Sequence, residues 1–130
     1  MNDMNSAERR KVLIVEDDPH SQLYFKKLLA DLYNVSAVVS AREAWDLIHK
    51  STFDLILMDI SLSGGEDGLS LTRRLRSEEA FTKLPILAVT AYAFPEDRQK
   101  ALNAGCSDYL SKPVSGIDLN NKIRSLLSGQ

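Results

Sequence analysis

Apolar residues along this chain gather in five short runs, separated by stretches in which they recur at helical spacing. The first run, Val12-Leu13-Ile14-Val15, has no polar alternation, which reads as a strand covered on both faces, as in parallel sheets. Asp18-Pro19 then marks a helix start, with Asp as N-cap and Pro as first helical residue. Phe25, Leu28, Leu29 and Leu32 follow as one helix stripe. The second unit is a weaker, more polar strand over Val35–Val39, expected at a sheet edge. Ser40 is its N-cap, before a stripe of Ala41, Ala44, Trp45 and Ile48. Leu55–Met58 is the third strand and ends at Asp59. The loop Ser61–Gly68 (SLSGGEDG) leads from it to a helix carrying Leu71, Thr72 and Leu75. Pro85–Thr90 is the fourth strand, and Pro95 opens a helix that Gly105 closes. Ser107–Ser111 is a short fifth strand, and Leu119, Ile123, Leu126 and Leu127 mark the last helix.

Strand–helix alternation throughout implies an α/β domain with a parallel sheet and right-handed crossovers. Five such units fit the flavodoxin-like doubly wound order 2-1-3-4-5 with five helices, built from residues 11–128 behind a frayed tail over residues 1–10. Ligands in such sheets sit at the carboxyl ends of the strands, near the switch point between strands 1 and 3.

Composition narrows the function. The 130 residues suit one domain. A net charge of −2 argues against a nucleic-acid surface. A single cysteine, Cys106, cannot form an internal disulfide, so nothing asks for an oxidising compartment. No apolar run approaches the ~20 residues of a membrane helix. The N-terminus lacks the apolar region of a secretory signal, so a cytoplasmic protein is expected.

The strand ends carry the chemistry. Strand 1 ends in Glu16-Asp17-Asp18, strand 3 in Asp59, strand 4 in Thr90-Ala91 and strand 5 in Lys112-Pro113. Carboxylates brought together repel one another, and a hard divalent cation is the natural counter-charge. Mg²⁺ takes oxygen ligands and is usually held by one or two carboxylates together with phosphate oxygens. Lys112 supplies a mobile point charge suited to a phosphoryl oxygen. A carboxylate nucleophile between Mg²⁺ and a lysine can accept phosphorus as an aspartyl phosphate, and needs no general base.

The motifs IVEDDP, LILMDISL, AVTAYA and YLSKPV, in that order at consecutive strand ends, resemble the receiver domain of two-component response regulators. The likeness runs from Lys11 to Leu127 and is strongest to stand-alone receivers of the cell-division and phosphorelay type. It implies Asp59 as phosphoacceptor, Asp17 as direct metal ligand, Glu16 acting through water, and the Ser61 main-chain carbonyl as a further ligand to Mg²⁺. It also implies Thr90 as the switch hydroxyl, Ala91 as the small residue beside it, Lys112 as the phosphoryl-binding lysine before a cis Pro113, and Tyr109 as the aromatic switch. Tyr92, two residues past Thr90, would shield the phosphorus and lengthen the phosphoryl lifetime. The implied partners are a histidine kinase or histidine phosphotransfer protein near helix 1, and a downstream protein on the face of helix 4, strand 5 and helix 5. No nucleic acid or membrane partner is implied. Such a protein is a switch rather than an enzyme, and because the sequence stops after its last helix, output by protein–protein contact is expected. Three departures stand out. Ser63 replaces the family's proline four residues after the acceptor, the loop before Gly68 is one residue longer, and Val114 replaces an aromatic.

Other readings stay open: a phosphorylation-independent pseudo-receiver module, or a receiver excised from a larger hybrid kinase. An aspartate-nucleophile phosphatase fares badly, because Ser61 stands where that chemistry wants a second carboxylate. Asp18 reads as a helix cap only, His20 and His49 as surface residues with no partner pattern in the sequence, Cys106 as a small buried hydrophobe, and Arg73, Arg74 and Arg76 as a solvated basic face.

Overall fold

The computed structural model describes residues 9–91 and 94–129. The elements are β1 (Lys11–Val15), α1 (Pro19–Leu29), β2 (Asn34–Val38), α2 (Ala41–Lys50), β3 (Leu55–Asp59), α3 (Gly68–Arg76), β4 (Ile86–Thr90), α4 (Pro95–Ala104), β5 (Asp108–Ser111) and α5 (Gly116–Ser128). The strands form one parallel sheet in the order β2-β1-β3-β4-β5, the expected flavodoxin-like arrangement. The polar β2 lies at one edge.

Side chains alternate across a strand, and that alternation sorts the core into two layers. Leu13, Val15, Ile56, Met58, Ile86 and Ala88 face α2, α3 and α4, where they meet Ala41, Ala44, Ile48, Leu71, Leu75 and Ala101. Val12, Ile14, Leu55, Leu57, Leu87 and Val89 face the other way, onto Phe25 and Leu29 of α1 and Leu119, Ile123 and Leu127 of α5. The central strands β1, β3 and β4 read as continuous apolar runs because both faces are covered. Fully burying each large apolar side chain stabilises the fold by about 1.5–3 kcal/mol.

Helix starts follow the residues that mark them. Asp18 caps α1 by accepting the Ser21 N–H at 2.8 Å, Ser40 caps α2 through the Glu43 N–H, and Ser115 caps α5 through the Asp118 N–H. The α3 cap is Asp67, which accepts from Ser70. Gly105 closes α4 with φ at +112°.

Three sequence readings change, and one short element goes unannounced in the sequence. Leu32 is not part of the α1 stripe: the helix ends at Leu29, and Leu32 lies in the following turn, 52% exposed. A 3-10 turn at Glu79–Phe81, without an apolar period to announce it, precedes β4. The arginines of α3 are not one solvated face. Arg76 is half-buried and donates to the carbonyls of Gly105 and Phe81 at 2.8 and 2.6 Å, tying α3 to the α4–β5 turn, while Arg74 lies over the Trp45 ring. His49 has partners after all: its ring nitrogens meet the Trp45 carbonyl and the Glu78 carboxylate at 2.7 and 2.9 Å. The residue 1–10 tail lies outside the described residues up to position 8. Arg9 and Arg10 are tied down, Arg9 donating to the Ala30 carbonyl and Arg10 accepting from the Asn34 N–H.

Gly68 opens α3 directly under the end of β3. A Cβ there would lie 2.6 Å from the Asp59 carbonyl oxygen and 2.8 Å from the Ile60 Cα, both backbone atoms that cannot swing aside. Alanine would gain about 1 kcal/mol of helix propensity, but the overlap costs about 1–3 kcal/mol or more, so the clash wins. Gly68→Ala is therefore expected to lower the urea midpoint; an unchanged or raised midpoint would contradict this packing.

Candidate functional site

Four strand ends deliver the site. The β1 ladder continues one step as the Glu16 N–H donates to the Val38 carbonyl, and Gln22 of α1 donates to the carbonyls of both Glu16 and Val38, each at 3.1 Å. That brings Glu16 to the strand end with its carboxyl inward, only 1% exposed. Asp59 is the last residue of β3 and 5% exposed. The β4–β5 ladder runs one residue past β5, with the Lys112 N–H donating to the Thr90 carbonyl at 2.7 Å. This bond sets the lysine beside the carboxylates, and the peptide that follows it, Lys112–Pro113, is cis as the resemblance implied.

Oxygen atoms of Glu16, Asp17 and Asp59 all lie within 4.8 Å of one another. The Lys112 ammonium sits 2.8 Å from Glu16 Oε1 and 3.7 Å from Asp59 Oδ2, bridging the two buried acids. Asp59 Oδ1 accepts the Ser61 N–H at 2.8 Å, and the Ser61 hydroxyl lies 3.3 Å from that of Thr90, which is 1% exposed. Asp17 is turned toward the loop, where Oδ2 accepts both the N–H and the hydroxyl of Ser63.

Electrostatics follow from this crowding. Burial above all, reinforced by Asp59 and opposed by Lys112 and the Asp18 N–H, pushes the Glu16 carboxyl up to about 7. The Ser63 hydroxyl holds Asp17 below the usual carboxylate range. Burial works against the Lys112 charge, but the Glu16 hydrogen bond and the charges of Asp59 and Glu16 outweigh it and leave the amine above its ordinary value. An all-oxygen, anionic donor set in which burial makes one acid reluctant to ionise suits a hard divalent cation such as Mg²⁺.

Of the residues singled out from sequence, Glu16, Asp17, Asp59 and Lys112 come together, and Thr90 joins them through Ser61. Tyr109 does not: it pairs with Ala88 in the sheet and packs, half-buried, on the core layer under α2–α4. Asp18 is the helix cap, and Tyr92 lies outside the described residues. Gln22 and Ser63 were missed. Gln22 carries a weak signal, four residues past the Asp18 cap and so one helical turn along on the same face. Ser63 stands out in sequence as the replacement of the family's proline, but nothing there points to its partner Asp17, 46 residues away.

A family profile described as "Response regulator receiver domain" matches residues 12–124. The chain is 37% identical over 119 residues to the polar-differentiation response regulator DivK of Brucella ovis, covering 91% of this chain and 96% of that one. It is 34% identical over 115 residues to a gliding motility regulatory protein of Myxococcus xanthus, covering 88% of this chain but spanning only 15% of that protein's length. Among solved structures, the receiver domain of a sensor histidine kinase of Pseudomonas aeruginosa, with magnesium coordinated in its active-site cleft, superposes with a TM-score of 0.84 at 35% identity. That superposition covers 92% of this chain and 98% of the other.

Proposed function

The chain belongs to the response regulator receiver domain family, and on that premise we propose that it is a phosphoryl-accepting switch in which Asp59 takes the group. The observation that carries the reading is one buried carboxylate with an ammonium 3.7 Å away and oxygens of two further acids within 4.8 Å. An Asp59 oxygen attacks the phosphorus of a phosphohistidine as the P–N bond breaks. The electron pair of that bond returns to the ring, which leaves as neutral imidazole because its other nitrogen carries a proton, so no side chain of this protein has to move one. Lys112 balances charge on the transferring oxygens, and the Ser61 N–H already orients the Asp59 carboxylate for attack. Glu16, Asp17, Asp59 and the Ser61 main-chain carbonyl would hold a Mg²⁺ ion, which when bound supplies Lewis-acid charge to the same oxygens.

The phosphodonor is a histidine kinase or histidine phosphotransfer protein. A shallow groove beside Lys112, lined by His20, Tyr24, Phe25, Pro113 and Val114, gives such a partner an apolar seat next to the acceptor. The Tyr24 hydroxyl donates to the Val114 carbonyl at 2.6 Å, so an interaction from α1 supports the loop where the family has an aromatic. Thr90 and Tyr109 are the switch pair, and the α4–β5–α5 face is the output surface. In support, α4 buries only Ala101 and Ala104, so shifting it disturbs little packing. Output is protein–protein contact in the cytoplasm. Phosphoryl uptake from a small phosphodonor with Mg²⁺, read by intact mass, tests the reading: wild type gains one phosphoryl group and Asp59→Ala gains none.

A further inference from the structure

Ser63 makes two hydrogen bonds that a proline at its position could not make. Its backbone N–H and its hydroxyl both donate to the same atom, Asp17 Oδ2, at 3.0 and 2.6 Å. A carboxylate oxygen has about two lone-pair sites, so Oδ2 is fully committed and a metal ion is left Oδ1. The loop that presents Ser63 is anchored at its far end as well. Gly64 and Gly65 turn it with φ at +73° and +146°, and the Glu66 carboxylate is held by the Ser70 hydroxyl at 2.7 Å and by Arg74. Arg74 in turn lies 4.0 Å over the Trp45 ring of α2. The partner of Asp17 is thus fixed by the fold of the loop and not by a freely rotating surface side chain.

We propose that Ser63 is a positioning residue that sets both the strength and the choice of cation at the carboxylate cluster, by fixing Asp17 as a one-oxygen ligand. The inference rests on the reading of Glu16, Asp17 and Asp59 as a Mg²⁺ site. Two physical arguments carry it. A ligand held by a hydrogen-bonded neighbour has its orientation settled before the metal arrives, and loss of such a neighbour typically weakens metal binding 10–100-fold. Mg²⁺ takes six near-octahedral oxygens, one from each ligand, whereas Ca²⁺ accepts six to eight and readily takes both oxygens of a carboxylate. Tying up Oδ2 denies Ca²⁺ that second oxygen and costs Mg²⁺ nothing.

Calorimetric titration of the full chain with Mg²⁺ and, separately, with Ca²⁺ tests this in wild type, Ser63→Ala and Ser63→Thr. Ser63→Ala is expected to weaken Mg²⁺ binding about tenfold and to weaken Ca²⁺ binding less, so that the preference for Mg²⁺ over Ca²⁺ falls. Ser63→Thr keeps both donors and is expected to restore the affinity and the preference together. A general loss of structure would weaken both ions alike and leave their ratio unchanged, and that result overturns the proposal. So does a Ser63→Ala protein that binds Mg²⁺ as well as wild type or better. Absence of saturable Mg²⁺ binding in wild type would overturn the metal-site reading and this proposal with it.

Discussion

Lys112→Ala is expected to slow phosphoryl uptake on Asp59 by about 100-fold or more, the usual cost of removing one preorganised charge from a transition state that develops negative oxygens. The same substitution should also destabilise the metal-free fold above neutral pH. Lys112 is the cation between two acids that are 1% and 5% exposed, 2.8 Å from one and 3.7 Å from the other. Removing one partner from a buried pair costs about 3–5 kcal/mol when the other cannot adapt. Here the cost is smaller, about 1–3 kcal/mol, because the lysine is 24% exposed and Glu16 can take up a proton instead. Lys112→Arg separates the two roles. It keeps the positive charge and should recover much of the stability, but its planar fork does not reproduce a compact ammonium, so uptake should stay slow. Equal uptake rates in wild type and Lys112→Ala would remove the lysine from the chemistry.

The second large effect is on stability against pH. Glu16 titrates near 7 in the folded protein and near 4.5 when unfolded, so the folded state holds its proton more tightly. The stability this adds is fully present below about pH 4.5 and is lost as the pH rises through 7. Without metal, the urea midpoint should therefore fall between pH 5 and pH 8, by an amount equivalent to about 3 kcal/mol at most. His49 pulls in the same direction: the Trp45 carbonyl first, and Glu78 with it, raise its pKa. It lies on the surface, where such pairs contribute little. Magnesium distinguishes the two. On the proposed metal reading the ion competes with the Glu16 proton and not with His49, so the stabilisation produced by added Mg²⁺ should be small at pH 5.5 and large at pH 8. A Mg²⁺ effect of equal size at both pH values would contradict the assignment of Glu16 to the metal cluster.

Much of this molecule was readable before folding because its signals are local. The unbroken run Val12–Val15 reads as a strand covered on both faces, and both core layers cover it. Asp18-Pro19 and Gly105 bound their helices through backbone geometry that neighbouring residues alone determine. The acids of the site were legible for a related reason: a parallel sheet collects its strand ends, so Glu16, Asp17, Asp59 and Lys112 needed only correct strand limits to be brought together. What escaped depends on contacts between distant segments. Arg76 looks like any surface arginine until the Gly105 and Phe81 carbonyls arrive beneath it. His49 looks solitary until the 3-10 turn brings Glu78 to its ring. The replacement of proline by Ser63 was visible in sequence, but its consequence was not, because Asp17 comes from another strand end.

The claim on which the rest depends is that Asp59 forms the covalent bond to phosphorus. Aspartyl phosphates are reduced by borohydride to homoserine, which marks the acceptor permanently. The protein should be incubated with a small phosphodonor and Mg²⁺, reduced, digested and sequenced by mass spectrometry. Homoserine at position 59, dependent on both the donor and Mg²⁺, is the expected result. An unmodified Asp59 with phosphate on His20, His49, Ser61 or Thr90, or no phosphate anywhere, would contradict the account.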